Sequence, residues 1–271
     1  MSAILDGPAG AELERRIARA CTQAQRLLGA RSSPAEPGDP GRLPDLAARC
    51  SERLGAQAVQ ALGEHEAAMT RLRGRYETRL QRLARAHAAG TELREITVPS
   101  AMLERAPAAL CAASNFERVI LSRVSGGAMV AQAAHFEGEP ELAHQVLESL
   151  RLQPIVLEHP LIETEVLRRR RATILLEAGV HPRVDRRLAR LMNWSAYAAA
   201  PLTIGSRVIG VVHADRGAGA TLDVLDRDVL WVFVTALAPA YESARLVRTL
   251  RDERERMRDF VDWLGARSSE L

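Results

Sequence analysis

Seven histidines and three cysteines are the side chains of this 271-residue sequence best suited to proton transfer, metal ligation or thiol chemistry. Their spacing favours none of these. His65, His87, His135, His144, His159, His181 and His213 are scattered, and no HExxH, GxSxG or Walker loop accompanies them. Cys21, Cys50 and Cys111 form no CxxC pair, which argues against a zinc knot or a disulfide framework. Cys111 lies in a run of small residues, Ala106 to Ala113, and reads as core. Glu163 and Glu165 stand two apart on a helical stretch, so they face different sides and make a poor acid–base pair. Ser125-Gly126-Gly127 reads as a hairpin turn rather than a nucleophile elbow. We therefore expect no catalytic residue, no metal ligand and no cofactor.

Three features could bind rather than react. His135 and His213 each end a strand-like run, and two such imidazoles in one sheet could approach each other; a partly buried histidine bonded to backbone is the simpler reading. Trp194 and Tyr197, three residues apart where a loop enters a strand, could supply stacking and one hydroxyl. The strand Ala196 to Ala200 holds alanine everywhere except Tyr197. Such small side chains leave either a cavity or a flat bed for a tightly packed helix. Arg168 to Arg171 could meet phosphate, but a solvated helix end whose cations face the C-terminal dipole explains it as well.

Composition sets the frame for these residues. At roughly 150 residues per domain, the length allows one medium domain with helical extensions. A hydrophobic fraction of 47% with 26% charged residues is that of a folded chain, which excludes disorder throughout. All 37 basic residues are arginine, and the net charge of +3 is not concentrated into a patch of the kind that binds nucleic acid by counterion release. No nucleic-acid contact through this chain is expected. The N-terminus lacks the pattern of a signal peptide. The apolar stretch from Val229 to Tyr241 is too short to span a bilayer and contains Pro239. A cytoplasmic protein without membrane contact is the expectation, consistent with unpaired cysteines.

The pattern along the chain predicts an N-terminal helix within residues 1–30, a Pro/Gly-rich linker over 31–42, and a long helical, coiled-coil-like segment over 43–95. A mixed region follows over 96–250, and a final helix runs through 240–271. In the mixed region, Phe116 to Val124 and Ala128 to Phe136 alternate and are joined at Ser125-Gly126-Gly127. Ser195 to Ile204 and Arg207 to Asp215 form a second such pair joined at Gly205-Ser206. Helices are predicted over 102–113, 139–150, 161–171 and 181–192, with short strands over 154–157 and 172–176. Strands that follow each other across tight turns fit an α+β fold: an antiparallel sheet flanked by helices, not a doubly wound parallel one.

Ser195 to Arg216, SAYAAAPLTIGSRVIGVVHADR, resembles the signature of the GAF domain. Pro201-Leu202, Gly205, Val208-Ile209-Gly210-Val211 and Asp215 occupy its strand end, turn and second strand. Leu222 to Asp228 is similar to the family's entry into its last helix, and Phe116 to Arg123 to its first strand. The resemblance implies a GAF-like (PAS-like) domain over 96–250 acting as a non-enzymatic sensor. It implies a pocket between sheet and central helices, with walls drawn from Leu121, Met129, Ile155, Leu157, Leu161, Leu176, Trp194 and Tyr197. We add His135 and His213 as candidates. With no charge cluster demanding an anion, a small, mostly apolar ligand is expected there. Leu103 to Arg123 and Leu161 to Arg171 look like a bacterial group in which a GAF domain precedes a LuxR-type helix-turn-helix in transcription regulators. The residues after Leu264 are too few for such a motif, so the sensory part of a regulator is one alternative and a ligand-free dimerisation scaffold another.

The flanking helices carry apolar stripes. From Ala58 the intervals three, four, four repeat through Met69, Leu72, Tyr76, Leu80 and Leu83, an eleven-residue period that gives nearly straight packing. These residues could pack on their own domain or on a second copy. In the last helix Val247, Leu250, Met257, Val261 and Leu264 follow a heptad pattern. A homodimer through these helices is expected.

Overall fold

The structure is a computed structural model that describes the backbone of residues 43–158 and 160–268 and the side chains of 52, 54–158 and 160–263. The N-terminal helix and linker expected before residue 43 lie outside the described residues, as do the side chains of His159 and Leu264. The chain divides into two units, residues 1–74 and 75–271. Helix α1, Leu43–Glu92, belongs to the first unit up to Gly74. In that stretch Val59, Leu62, Met69 and Leu72 are all exposed.

The second unit is built on a six-stranded sheet in the order β3-β2-β1-β6-β5-β4, in which every pairing is antiparallel. Strands β1 (Arg118–Ser125) and β2 (Ala128–Phe136) form the first hairpin. Its turn places Gly126 and Gly127 at φ of 58° and 76°, the left-handed pair that a two-residue hairpin requires and that glycine reaches without strain. Strands β5 (Ala196–Ile204) and β6 (Arg207–Asp215) form the second hairpin, and β6 lies against β1 in the middle of the sheet. The edges are β3 (Ile155–Val156) and β4 (Thr173–Leu176).

Helices cover both faces. Strand residues alternate, so Val119, Leu121, Ala198, Ala200, Val212 and Ala214 bury one face. Against it pack α2 (Pro99–Ala113), the start of α6 (Val224–Ser268) and the last turns of α1. Ala86 and Leu93 are buried there, so the domain's core reaches back before residue 96. The alanines of β5 are the bed for α6, whose Val229, Leu230, Phe233 and Leu237 lie in this core. Close approach is also required at Gly90: a Cβ there would stand 2.7 Å from the Phe233 carbonyl oxygen and 2.8 Å from the Ala236 Cβ. Ile120, Met129, Ala131, Tyr197, Ala199 and Val211 bury the other face beneath α3 (Pro140–Leu152), α4 (Ile162–Arg169) and α5 (Arg186–Met192). Helices α3 and α4 begin and end within two residues of their predicted spans, whereas α5 begins five residues later than predicted.

Helix α6 starts with a reciprocal cap. Asp223 Oδ1 accepts from the Asp226 N–H and Asp226 Oδ2 from the Asp223 N–H, each at 2.9 Å. The buried Asp226 carboxylate also receives Arg82 from α1 at 2.6 Å and Arg216, which follows β6. Incoming helix, sheet and outgoing helix thus meet at one charged residue. The helix then runs unbroken through Pro239, which has no N–H to offer the Thr235 carbonyl. Beyond it Leu246, Val247, Leu250, Met257, Phe260 and Val261 are exposed. No described helix is long and apolar enough to cross a membrane.

Candidate functional site

The polar side chains of the second core form a connected cluster. Helix α4 presents Ile162, Glu163 and Val166 to the sheet. Glu163 Oε1 accepts a hydrogen bond from the Tyr197 hydroxyl of β5 at 2.8 Å and lies 3.1 Å from His213 Nε2 of β6. Burial raises the Glu163 pKa, but the His213 bond and charge, a backbone bond and the Tyr197 bond outweigh it and leave the pKa below its ordinary value. Burial, then the neighbouring Glu163 charge, holds the Tyr197 hydroxyl well above the usual tyrosine range, so it stays a donor.

Trp194 continues the cluster. Its ring stacks on Tyr197 with centroids 4.2 Å apart and planes 20° from parallel. Its Nε1–H donates to Asp215 Oδ2 at 2.8 Å. Asp215 stands directly across from Arg118 in the β1–β6 register, and Arg118 Nε donates to Oδ1 at 2.7 Å. Burial pushes the Asp215 carboxyl up, and the Arg118 and Trp194 contacts offset only part of that. The cluster is buried: Trp194, Tyr197, His213 and Glu163 are each 3% exposed or less. Space expected beside Tyr197 for an apolar ligand is filled by its own ring stack.

The sheet separates several residues expected to share a pocket. His135 pairs with Val119 and His213 with Ile120, adjacent residues of β1 that point to opposite faces. The two imidazoles therefore cannot approach each other. His135 lies near the surface, 3.3 Å from Glu137 Oε2. Leu121 also faces the α2–α6 side. At Leu176 the strand turns its side chain outward, and Leu175 fills the interior position. Met129, Trp194, Tyr197 and His213 share the inner face, with Leu157 and Leu161 packed at its margin. Glu163, Asp215 and Arg118 are the residues that the sequence reading did not bring into the site. Only the strand register and the turn of α4 bring them together. Among the described residues no group of three or more His, Cys, Asp or Glu is placed to hold a metal ion.

Open space lies on the far side of α4. A cleft of about 680 Å³ is lined by Pro160, Leu161, Thr164, Glu165, Arg168, Arg169 and Arg183. Glu165 is paired at both oxygens, Oε1 to Arg169 at 2.8 Å and Oε2 to Arg183 at 2.5 Å. Arg183 also donates to the Pro160 carbonyl at 2.8 Å. These cations, Arg183 foremost, hold the Glu165 carboxyl below the usual range. The arginine run read as a solvated helix end is thus partly folded into a cleft by a loop arginine that the sequence did not single out.

No protein-family profile matches the chain, and no curated protein does. Solved structures do. The GAF domain of a phosphoenolpyruvate-protein phosphotransferase from Coxiella burnetii aligns at a TM-score of 0.52 and 14% identity, over 63% of this chain and 98% of that one. A GAF domain/HD domain protein from Geobacter sulfurreducens aligns at 0.49 and 15% identity, over 57% and 98%. Free methionine-R-sulfoxide reductase from Neisseria meningitidis aligns at 0.47 and 18% identity, over 59% and 87%. The second unit has the GAF fold.

Proposed function

We propose that this chain is a non-catalytic sensory or regulatory GAF module that works as a homodimer, with the state of the domain passed along its flanking helices. The observation that carries this reading is α6 itself. Its first half is buried on the alanines of β5, and its second half leaves the domain as an exposed stripe of Leu246, Val247, Leu250, Met257 and Val261. An isolated surface helix has no use for apolar residues at that spacing, whereas a second copy buries them. On α1 the exposed Met69, Leu72, Tyr76 and Leu80 extend the same argument, while Leu83 packs into the domain's own core. Asp226, which receives Arg82 from α1 and Arg216 from the end of β6, couples both helices to the sheet.

Two further points support a binding rather than a catalytic role. The Glu163–Tyr197–His213 cluster is closed to substrate, and Cys111, a buried thiol whose pKa is pushed up to about 12, is a poor nucleophile. A ligand that binds two states of the domain unequally, at the α4 side, would shift α4 against the sheet and so bias the dimer helices. The alternative reading, the sensory part of a LuxR-type regulator, would put a DNA-binding part at the output of such a helix.

Size-exclusion chromatography with light scattering tests the reading. A dimer at tens of micromolar that Leu250→Arg converts to monomer is expected, because Leu250 is exposed and its replacement leaves the fold intact. A wild-type protein that is strictly monomeric overturns it. The filled inner face favours a second reading, a scaffold that dimerises without a ligand. Native mass spectrometry with a metabolite panel separates the two, since a scaffold retains no small molecule.

A further inference from the structure

We infer that the cleft beside α4 is a binding site for a small organic dianion, a molecule with a short apolar body and two anionic groups of the carboxylate or phosphate type. This rests on the sensory reading above and names the class of ligand it would sense.

The cleft has the composition such a ligand needs. Arg168, Arg169 and Arg183 face one carboxylate, Glu165, which leaves two positive charges unmatched within the lining. Pro160 and Leu161 supply the apolar wall. The arginines come from two separate places in the chain, the end of α4 and the turn before α5, so the fold and not a local sequence run assembles them. Guanidinium forks suit carboxylate and phosphate oxygens better than any other common group.

The chain's own carboxylate shows how an anion would be held. Glu165 is gripped at one oxygen by Arg169 and at the other by Arg183. That is the arrangement an incoming carboxylate or phosphate would take over. Arg168 completes the set, because it makes no hydrogen bond to a described residue and is free to receive the second anionic group. Glu165 is thus an internal occupant, and a ligand binds by exchanging with it.

Exchange would loosen the outer face of α4. Glu165 and Glu163 lie two residues apart on this helix, one in the cleft and the other locked to Tyr197 and His213. Releasing Glu165 from Arg183 removes the side-chain tie between the body of α4 and the turn before α5, while the Ile162 N–H still donates to the Arg183 carbonyl at 3.0 Å and the buried Glu163 contacts hold the inner face.

Isothermal titration of the full chain with succinate and with inorganic phosphate, at fixed ionic strength against a chloride control, tests the site. Saturable binding of at least one of the two anions is expected, and which one binds distinguishes a carboxylate from a phosphate ligand. Glu165→Gln, which removes the internal competitor, is expected to tighten that binding about tenfold, or roughly 1.4 kcal/mol. Arg168→Gln is expected to weaken it by a similar factor without changing the melting temperature of the free protein. A purely structural Glu165 predicts the opposite sign, a loss of stability with no gain in affinity. The inference is overturned if neither anion saturates, if Glu165→Gln fails to tighten binding, or if Arg168→Gln binds as well as wild type. Light scattering on the same samples reports the dimer separately. A monomer that still binds anion sinks the sensory reading, and a dimer that does not sinks only the site.

Discussion

Glu163 accepts the Tyr197 hydroxyl and faces His213 through the same oxygen, so one carboxylate fastens helix α4 to two neighbouring strands. Its position below the centre of the sheet makes its charge a matter of stability. The folded protein keeps this carboxyl ionised more readily than the unfolded chain does, so its contribution is present above the ordinary value of 4.5 and is lost as pH falls through the lower folded value. Glu163→Gln is expected to cost roughly 1–3 kcal/mol at neutral pH, because it removes the charge that the buried His213 and Tyr197 donors face. Urea denaturation from pH 7 downward checks this, with the gap between variant and wild type narrowing below pH 4.5. Comparing the two proteins cancels Asp215, whose raised pKa acts in the opposite sense: it favours the fold at low pH and loses that contribution as pH rises through the folded value.

At Gly90 a methyl group would meet backbone, not a yielding side chain. Gly90→Ala is therefore expected to destabilise the domain by roughly 1–3 kcal/mol by prising α1 from α6. Gly63→Ala, on the same helix with nothing within 4 Å of the added carbon, is expected to be neutral or to stabilise by up to about 1 kcal/mol. Thermal melts of the two variants side by side give the comparison. Equal effects would refute a close approach at Gly90.

Cys111 offers a chemical check on the same packing. Burial first, then the charges of Glu137, Asp215 and Glu117, raise its thiol to about 12. With Cys21 and Cys50 replaced by serine, alkylation by iodoacetamide at mildly alkaline pH is expected to be slow in the native protein and fast in denaturant. Rapid native labelling would show that α2 does not cover the sheet as described.

Much of this architecture is legible in the residues. Alternation with glycine at each turn, Gly126-Gly127 in one and Gly205 in the other, predicts both hairpins to within two residues, since a strand's period and a left-handed turn are local properties. The alanines of β5 pose a question that only packing answers, and α6 fills the space. The polar cluster is different in kind. Glu163 and His213 are fifty residues apart, and Arg118 meets Asp215 only through the register of strands that are themselves far apart in the chain. Reading Glu163 and Glu165 as facing different sides is correct. What the spacing could not show is that one side is a buried network and the other an arginine cleft. The same limit explains His135 and Leu121, whose faces are set by a one-residue difference in pairing.

The sheet ends at one side in a strand of two residues and at the other in a strand of four. Past Met129 the outer border of β2 has no described strand beside it, but Arg151 donates to the Ala131 and Gln132 carbonyls there at 3.4 and 2.7 Å, so a charged side chain sits where a neighbouring polypeptide would have to add. Whatever contact it makes with its own kind is thereby steered away from backbone pairing and onto surfaces where side chains can discriminate.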